Sequence, residues 1–201
     1  MKYIETEVKF HISDLEKLAA RLEALGAAQI SPRTYEVNLR FDTPAETLAA
    51  QACVLRLRQD AHSKLTFKGP TLSQDGVAQR EEIEFSVSDF DAAQRFLERL
   101  GYSVVAIYEK YRTSYEFDGL YFMLDEMPYG DFFEIEGESA AKIRAMAEKL
   151  SLNFDAAVKM SYLEVFKLFQ ATSGFNVTDL TFVAFSDQKW NLAQINIFAA
   201  D

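Results

Sequence analysis

The chain of 201 residues holds one cysteine, Cys53, so it can form neither an internal disulfide nor a cysteine-built metal cluster. Cys53 reads instead as a small buried apolar residue. The two histidines, His11 and His62, fit no metal-ligand spacing and read as surface or turn residues. The single tryptophan, Trp190, reads as a packing anchor rather than a platform for stacking bases. No apolar run approaches the roughly 20 residues of a membrane-spanning helix, and the N-terminus lacks a signal-peptide layout, so a cytoplasmic location is expected. Positive charge is outnumbered, with 21 Lys and Arg against 31 Asp and Glu and a net charge of −10. Nucleic acid and anionic membranes are therefore not expected partners.

What the chain does have is charge arranged at a strand's period. In Ile4-Glu5-Thr6-Glu7-Val8-Lys9-Phe10 the charges fall on one face and Ile4, Val8 and Phe10 on the other, because successive side chains of a strand point to opposite sides. Arg56 and Arg58 repeat the pattern, as do Lys64 with Lys68, Arg80 with Glu82 and Glu84, Lys110 with Arg112, and Glu134 with Glu136. Strands are expected over about 3–11, 35–42, 53–59, 63–69, 78–87, 105–117, 120–126 and 132–137, with turn signals at Gly69-Pro70, Asp75-Gly76, Asp118-Gly119 and Pro128-Tyr129-Gly130.

Helices fall between them. Ser13-Asp14-Leu15-Glu16 has the form of a capping box, with Leu15, Leu18, Leu22 and Leu25 on one face and Gly26 as a stop. A second helix starts at Ser88-Asp89-Phe90-Asp91 and stops at Gly101. A third runs over about 139–150 and a fourth over about 155–170. The segment from Glu7 to Leu15 aligns without gaps on that from Glu82 to Phe90, and the register lasts to Leu25-Gly26 against Leu100-Gly101. Glu134-Ile135-Glu136 and its following helix echo the unit again, which implies related strand-helix units about a pseudo-twofold axis. After a hinge-like stretch at 171–174, residues 180–185 and 195–198 are expected as added strands.

Strands with one apolar and one charged face admit two assemblies. The charges face bulk water over an ordinary core, or the sheet curls and the charges line its interior. We take the second, because a sheet covered on one side shows mostly Ser, Thr, Gln and Lys outward, not strand after strand of Arg and Glu. The lining then carries the bases Lys9, Arg56, Arg58, Lys68, Arg80 and Arg112, with Arg40 and Lys159 as further candidates. Its carboxylates are Glu5, Glu7, Glu82, Glu84, Asp125, Glu134 and Glu136. Guanidinium forks suit phosphate oxygens, and two glutamates about 7 Å apart on one strand face can share a hard divalent ion. A phosphate chain needs both kinds of group.

These residues resemble the CYTH superfamily, the triphosphate tunnel metalloenzymes, which includes class IV adenylyl cyclases, thiamine triphosphatases and inorganic triphosphatases. The likeness begins with Glu5-x-Glu7-x-Lys9. It continues through Phe41-Asp42-Thr43, Leu55-Arg56-Leu57-Arg58, Leu65-Thr66-Phe67-Lys68-Gly69-Pro70, Arg80-Glu81-Glu82-Ile83-Glu84 and Glu109-Lys110-Tyr111-Arg112. It ends with Leu124-Asp125-Glu126 and the run from Gly130 to Gly137. The resemblance implies an α+β domain over residues 1–170, a closed antiparallel eight-stranded β-barrel forming a tunnel with helices packed outside. Residues 171–201 would be a C-terminal extension, packed on that domain or at an oligomer contact.

By the same resemblance Glu5, Glu7, Glu134 and Glu136, supported by Asp125, would hold Mg²⁺ or Mn²⁺. Lys9, Arg56, Arg58, Lys68, Arg80 and Arg112, with Lys159, would bind triphosphate. Lys9, Glu82 and Glu84 would be catalytic, the two glutamates holding a second metal or orienting the nucleophile. The implied partner is a small-molecule triphosphate, with a homodimer left open. The implied activity is hydrolysis of thiamine triphosphate, inorganic triphosphate or a nucleoside triphosphate. The alternatives are a class IV adenylate cyclase and a non-catalytic binder of polyphosphate or nucleotide.

Overall fold

The computed structural model describes residues 4–74, 76–175, 177–186 and 190–201. Its strands are β1 (Ile4–Ile12), β2 (Ala28–Asp42), β3 (Val54–Gln59), β4 (Ser63–Lys68), β5 (Leu72–Gln74), β6 (Val77–Val87), β7 (Ser103–Phe117), β8 (Leu120–Met127) and β9 (Gly130–Gly137). The helices are α1 (Leu15–Ala24), α2 (Thr47–Ala50), α3 (Phe90–Arg99), α4 (Ala140–Lys149) and α5 (Tyr162–Ser173).

The sheet runs β1-β9-β8-β7-β2-β3-β4-β6, and β6 pairs back onto β1, so eight strands close in a ring. Every neighbouring pair is antiparallel. The short β5 pairs with Val77–Gln79 of β6, beyond the stretch that β4 covers. Exchanging β1 with β6, β2 with β7, β3 with β8 and β4 with β9 reproduces the ring order. The internal repeat thus corresponds to a pseudo-twofold topology whose two seams are the β1–β6 and β2–β7 pairs. The second seam joins the two 15-residue strands.

Closure sorts the side chains. Val8, Phe10, Phe122, Leu124, Phe133 and Ile135 point outward, where Leu18 and Leu22 of α1 and Ile143, Met146 and Ala147 of α4 cover them. Leu39, Phe41 and Leu57 meet Leu97 of α3. Each such buried side chain contributes about 1.5–3 kcal/mol, so the stability of the ring comes from its outside. Coverage is uneven, since Ile83 and Phe85 on the outer face of β6 are 38% and 54% exposed.

Local signals explain the helix ends. Asp14, Asp89 and Ser139 cap α1, α3 and α4 by accepting from the backbone N–H three residues on. Gly26 and Gly101 follow α1 and α3 at φ +84° and +94°, a conformation a side chain would strain.

Several expectations shift. Ser13 is not the α1 cap, because its hydroxyl and N–H are engaged by the Asp201 carboxylate at 2.9 and 2.8 Å. β2 starts at Ala28 rather than 35, its first part following β7 through register irregularities. The expected helix over 155–170 is a 3₁₀ turn at Phe154–Ala156 and then α5, which begins at Ser161 with a full capping box. The expected hinge at 171–174 is the end of α5 and its left-handed cap Gly174.

Residues 180–185 and 195–198 are not strands. Leu180 and Ala199 make single bridges to Tyr108 and His11, and Leu192–Ile195 is a 3₁₀ turn. Their apolar residues are recruited individually: Leu180, Phe185, Leu192, Ile195 and Ile197 pack with Val165, Phe166 and Phe169 of α5. Trp190 lies against Phe169, Phe175 and Phe185 at ring distances of 4.4 to 4.5 Å. His11 is no turn residue: it is half-buried on β1, its ring 5.6 Å from Phe132. Tyr3 and Asp75, at an expected strand start and turn, lie outside the described residues.

Candidate active site

The inward rows of the ring are the charged ones. β6, β1 and β9 are consecutive, and their inner faces carry Glu82 and Glu84, Glu5 and Glu7, and Glu134 and Glu136. Across the ring lie β7, β2 and β3, whose inner faces carry Lys110 and Arg112, Arg40, and Arg56 and Arg58. The interior therefore has an acidic half and a basic half facing one another, with Lys64 and Lys68 of β4 and Asp125 of β8 between them.

In the acidic half, the protein's own cations bridge the carboxylates. Lys68 Nζ lies 2.6 Å from Glu5 and 3.2 Å from Glu82, and Arg80 lies 2.7 Å from Glu5 and 3.2 Å from Glu7. Burial would raise the Glu5 carboxyl, but Lys68 and Arg80 outweigh it and bring it down to about 2. The neighbouring carboxylates are less well served. Glu7 and Glu136 are direct cross-strand partners of like charge, an arrangement that destabilises a sheet. Burial and then the charges of Glu5, Glu7 and Glu82 push Glu136 up to about 7. Glu82 also rises to about 7, through burial and Glu5 against the pull of Lys68. Glu7 is raised by burial, Glu5 and Glu134. Among the described residues no three acidic, histidine or cysteine side chains form a ready-made cation cage.

The basic half is under-neutralised. Glu84 accepts from Lys64 at 2.8 Å and lies 3.5 and 3.6 Å from Arg56 and Arg58. Glu36, 3% exposed, lies 3.5 Å from Lys110 and 3.9 Å from Arg58. Arg40 has no ion pair among the described residues. Burial, together with the charges of Arg56 and Arg80, lowers its pKa even though Tyr108 opposes the shift. Beside it Asn38 is fully buried with both amide atoms unpartnered, and the Nε atoms of Arg40 and Arg56 are likewise buried without an acceptor. Unmet donors on buried cations are costly, and here they cluster on the inner faces of β2 and β3, where an anion would satisfy them.

One end of the ring is closed by α5 and the segment before it. Tyr162 donates to Asp125 at 2.7 Å, and its ring lies 4.2 Å from Lys9 Nζ. Lys9 itself donates to the Met160 carbonyl at 3.3 Å and lies 3.5 Å from Glu134. The other end opens into a cavity of about 440 Å³ lined in part by Glu36, Arg58, Lys64, Arg112 and Glu136.

Residues 3–160 match the model of the CYTH domain. The chain belongs to the CYTH family. It is 27% identical over 173 residues, 81% of this chain and 98% of the other, to a Methanocaldococcus jannaschii protein provisionally named an adenylate cyclase. It is 31% identical over 135 residues to the adenylate cyclase CyaB of Aeromonas hydrophila, covering 65% of this chain and 67% of CyaB. Among solved structures, a Vibrio parahaemolyticus protein, also provisionally an adenylate cyclase, superposes with a TM-score of 0.74 at 20% identity, over 83% of this chain and 99% of its own. Hippeastrum HpAC1, described as having a dominant triphosphatase activity, gives 0.62 at 21% identity, over 86% and 97%. CYTH members are triphosphatases or class IV adenylate cyclases, generally dependent on a divalent metal, and this chain is an enzyme of that kind. No helix among the described residues is long and apolar enough to cross a membrane.

Set in the CYTH ring, the residues expected from sequence divide. Glu5, Glu7, Lys9, Arg56, Arg58, Lys68, Arg80, Glu82, Glu84, Arg112, Glu134 and Glu136 all line the interior. Asp125 does too, but Lys110, Arg112 and Tyr162 already occupy its oxygens. Lys159 is exposed, between Val158, whose N–H donates to the Lys9 carbonyl, and the Met160 carbonyl that receives Lys9. Glu36, Asn38, Tyr108 and Tyr162 were missed, and Lys110 was placed on a charged strand face but not among the bases of the lining. Glu36-x-Asn38-x-Arg40 has the same alternation as the segments that were recognised, and could have been found by it. The donor set fits a hard divalent ion, since Glu7, Glu82 and Glu136 are each pushed up by burial and by neighbouring carboxylates, a repulsion that an added cation relieves.

Glu36 supplies a test of this electrostatic arrangement. Burial would raise its carboxyl, but Lys110, Arg112, Arg58 and Arg56 bring it down to about 2. A depressed carboxyl stabilises the fold above its unfolded pKa near 4.5 and loses that contribution as pH falls through about 2. Glu36→Gln is therefore expected to cost roughly 3 kcal/mol at pH 7 by urea unfolding, with a difference from wild type that shrinks steadily between pH 4.5 and 2. A pH-independent difference would show that Glu36 acts by packing alone.

Proposed function

We propose that this CYTH enzyme is a divalent-metal-dependent phosphohydrolase acting on a small-molecule triphosphate: thiamine triphosphate, inorganic triphosphate or a nucleoside triphosphate. The observation that supports this reading is the division of the interior. A wall of buried, partly unpartnered cations and amides (Arg40, Arg56, Arg58, Asn38) faces carboxylates crowded enough that Glu82 and Glu136 are held near 7. The first is a demand for anion and the second a demand for cation.

Arg56, Arg58, Lys68, Arg80 and Arg112, with Arg40 and Lys9, bind the phosphate oxygens and spread their charge. Glu5, Glu7, Glu134 and Glu136 would hold Mg²⁺ or Mn²⁺, which would supply electrophilic charge to the reaction. Glu82, largely able to take a proton near neutral pH, accepts one from the attacking water as its oxygen bonds to the terminal phosphorus and the bridging P–O bond breaks. Lys9, oriented by Met160 and Glu134, compensates the charge left on the departing oxygen.

A second reading has one specific support, the names of the two relatives. In it the ribose 3′-hydroxyl of ATP attacks the α-phosphorus and pyrophosphate leaves, giving cyclic AMP. Incubation of purified protein with Mg²⁺ or Mn²⁺ and, separately, ATP, thiamine triphosphate and tripolyphosphate separates the two. Orthophosphate release is expected, and cyclic AMP as the main product from ATP would replace the hydrolase by the cyclase. Glu136→Gln should lower turnover at least about 100-fold while raising Tm, because it removes a repelled charge. Glu5→Gln should lose activity and Tm together, since it strips the partner of both Lys68 and Arg80.

Lys68 now occupies Glu5 and Glu82, so metal and protein cation compete for them. Lys68→Met is expected to tighten Mn²⁺ binding to the substrate-free protein and to weaken tripolyphosphate binding, each by about tenfold in titration calorimetry. A loss of both affinities would contradict the competition.

A further inference from the structure

The CYTH match ends at residue 160, and the chain goes on through α5 into a tail described over residues 177–186 and 190–201. α5 joins that tail to the ring interior. Its first residue, Tyr162, is buried, with its hydroxyl 2.7 Å from Asp125 and its ring 4.2 Å from Lys9 Nζ. The buried positions that follow at helical spacing, Val165, Phe166 and Phe169, pack with Phe185, Leu192 and Ile195 of the tail. Of the named elements, the 3₁₀ turn Leu192–Ile195 is the one α5 packs against most extensively, ahead of any strand. The Tyr129 hydroxyl donates to the Tyr162 carbonyl at 2.9 Å, and the Tyr129 ring is backed by Phe185 at 6.3 Å. The tail is tied to the ring at two places. Leu180, fully buried, donates to the Ile107 carbonyl and accepts from the Glu109 N–H, each at 2.9 Å. Beside it Asp179 Oδ1 accepts from the Ile107 N–H at 3.2 Å. At the other tie the Ala200 N–H donates to the His11 carbonyl at 2.9 Å. Both ties fall on strand segments that also carry interior cations, Lys110 on β7 and Lys9 on β1.

We propose that the tail is a positioning element for the active site: braced between β7 and β1, it fixes α5 so that Tyr162 holds Lys9 and Asp125 in the geometry that turnover needs. It rests on the triphosphate reading above, in which Lys9 meets the departing oxygen, and adds the part of the chain that sets where Lys9 stands. A lysine has a flexible four-carbon stem, and here the Tyr162 ring, the Met160 carbonyl and Glu134 are what confine it. Groups that act on a substrate stay in place only when a further layer of packing locks their neighbours, and a misplacement of about 1 Å can cost roughly 100-fold in rate. Tyr162 and Met160 stand at the start of α5, so whatever sets that helix sets them. Arg58 and Lys64 line the open cavity at the other end of the ring, so phosphate capture depends on the tail far less than turnover does.

The test measures kcat and KM with Mn²⁺ and whichever of ATP, thiamine triphosphate and tripolyphosphate is turned over. It compares wild type, Ile195→Ala, Asp179→Ala, Tyr162→Leu and the two double variants that carry Tyr162→Leu with a tail substitution. Ile195→Ala is expected to lower kcat about tenfold while KM moves by less than about threefold, and Tyr162→Leu to lower kcat at least as much. Asp179→Ala opens no apolar cavity, should lower kcat about threefold, and keeps the test valid if Ile195→Ala melts early. In the Tyr162→Leu background either tail substitution should lower kcat by less than about twofold, the signature of one residue acting through another. Effects that multiply in the double variants would show that the tail supports the fold alone and would overturn the inference. So would wild-type kcat in Tyr162→Leu or in both tail variants, or a loss carried by KM alone. Each of these outcomes leaves triphosphate hydrolysis standing, whereas a wild type that turns over none of the three compounds removes that reading and the inference together.

Discussion

Placing several glutamates and basic side chains inside one closed sheet is tolerable only because opposite charges reach each other across it. Each charge taken from water costs several kcal/mol unless a partner and hydrogen bonds replace the solvent. Glu5 between Lys68 and Arg80, and Asp125 between Lys110, Arg112 and Tyr162, meet that condition. Glu136, Arg40 and Asn38 do not. The stability of the protein is supplied outside, by Phe122, Phe133 and Ile135 under α1 and α4, which leaves the inside free to be imperfectly neutralised.

The pseudo-twofold order and the charge pattern do not follow the same symmetry. Exchange of β1 with β6 lays Glu7 on Glu82 but Glu5 on Arg80 and Lys9 on Glu84, and exchange of β2 with β7 carries a base-bearing face onto another. Exchange of β4 with β9, however, replaces Lys64 and Lys68 with Glu134 and Glu136, and exchange of β3 with β8 replaces Arg56 and Arg58 with Met123 and Asp125. A symmetric lining would hold one kind of ion in two equivalent places. Breaking the symmetry at the two hairpins gives one interior with distinct cationic and anionic sides, which is what a polyanion accompanied by a metal requires.

Strand identity and inward orientation were legible because a period of two is a local property: Glu5-x-Glu7-x-Lys9 announces its own faces. The ring, too, was reachable, through the resemblance and the repeat. What local pattern could not give was which strands neighbour which, and so the opposition of β6-β1-β9 to β7-β2-β3. Glu36 and Asn38 were passed over because one acid and one amide on a strand look like ordinary surface until closure buries them. The tail misled for a related reason. Leu180–Phe185 has the composition of a strand, but the ring has no free edge for it to join, so Leu180 and Phe185 pack individually in the cluster around α5.

The two halves also constrain how ligands can arrive. Lys68 and Arg80 pair with the acidic half, although both are suited to phosphate. On the proposed reading, a triphosphate drawing them toward itself would strip Glu5, Glu7 and Glu82 of their cations, and those carboxylates would then hold charge that only another cation can offset. Conversely a divalent ion seated among them would release Lys68 and Arg80 for the phosphate chain. Each ligand would thereby remove the obstacle to the other, and by linkage the two affinities would rise together by the same factor. An interior that neither paired itself fully nor kept its charges apart is the condition for that exchange.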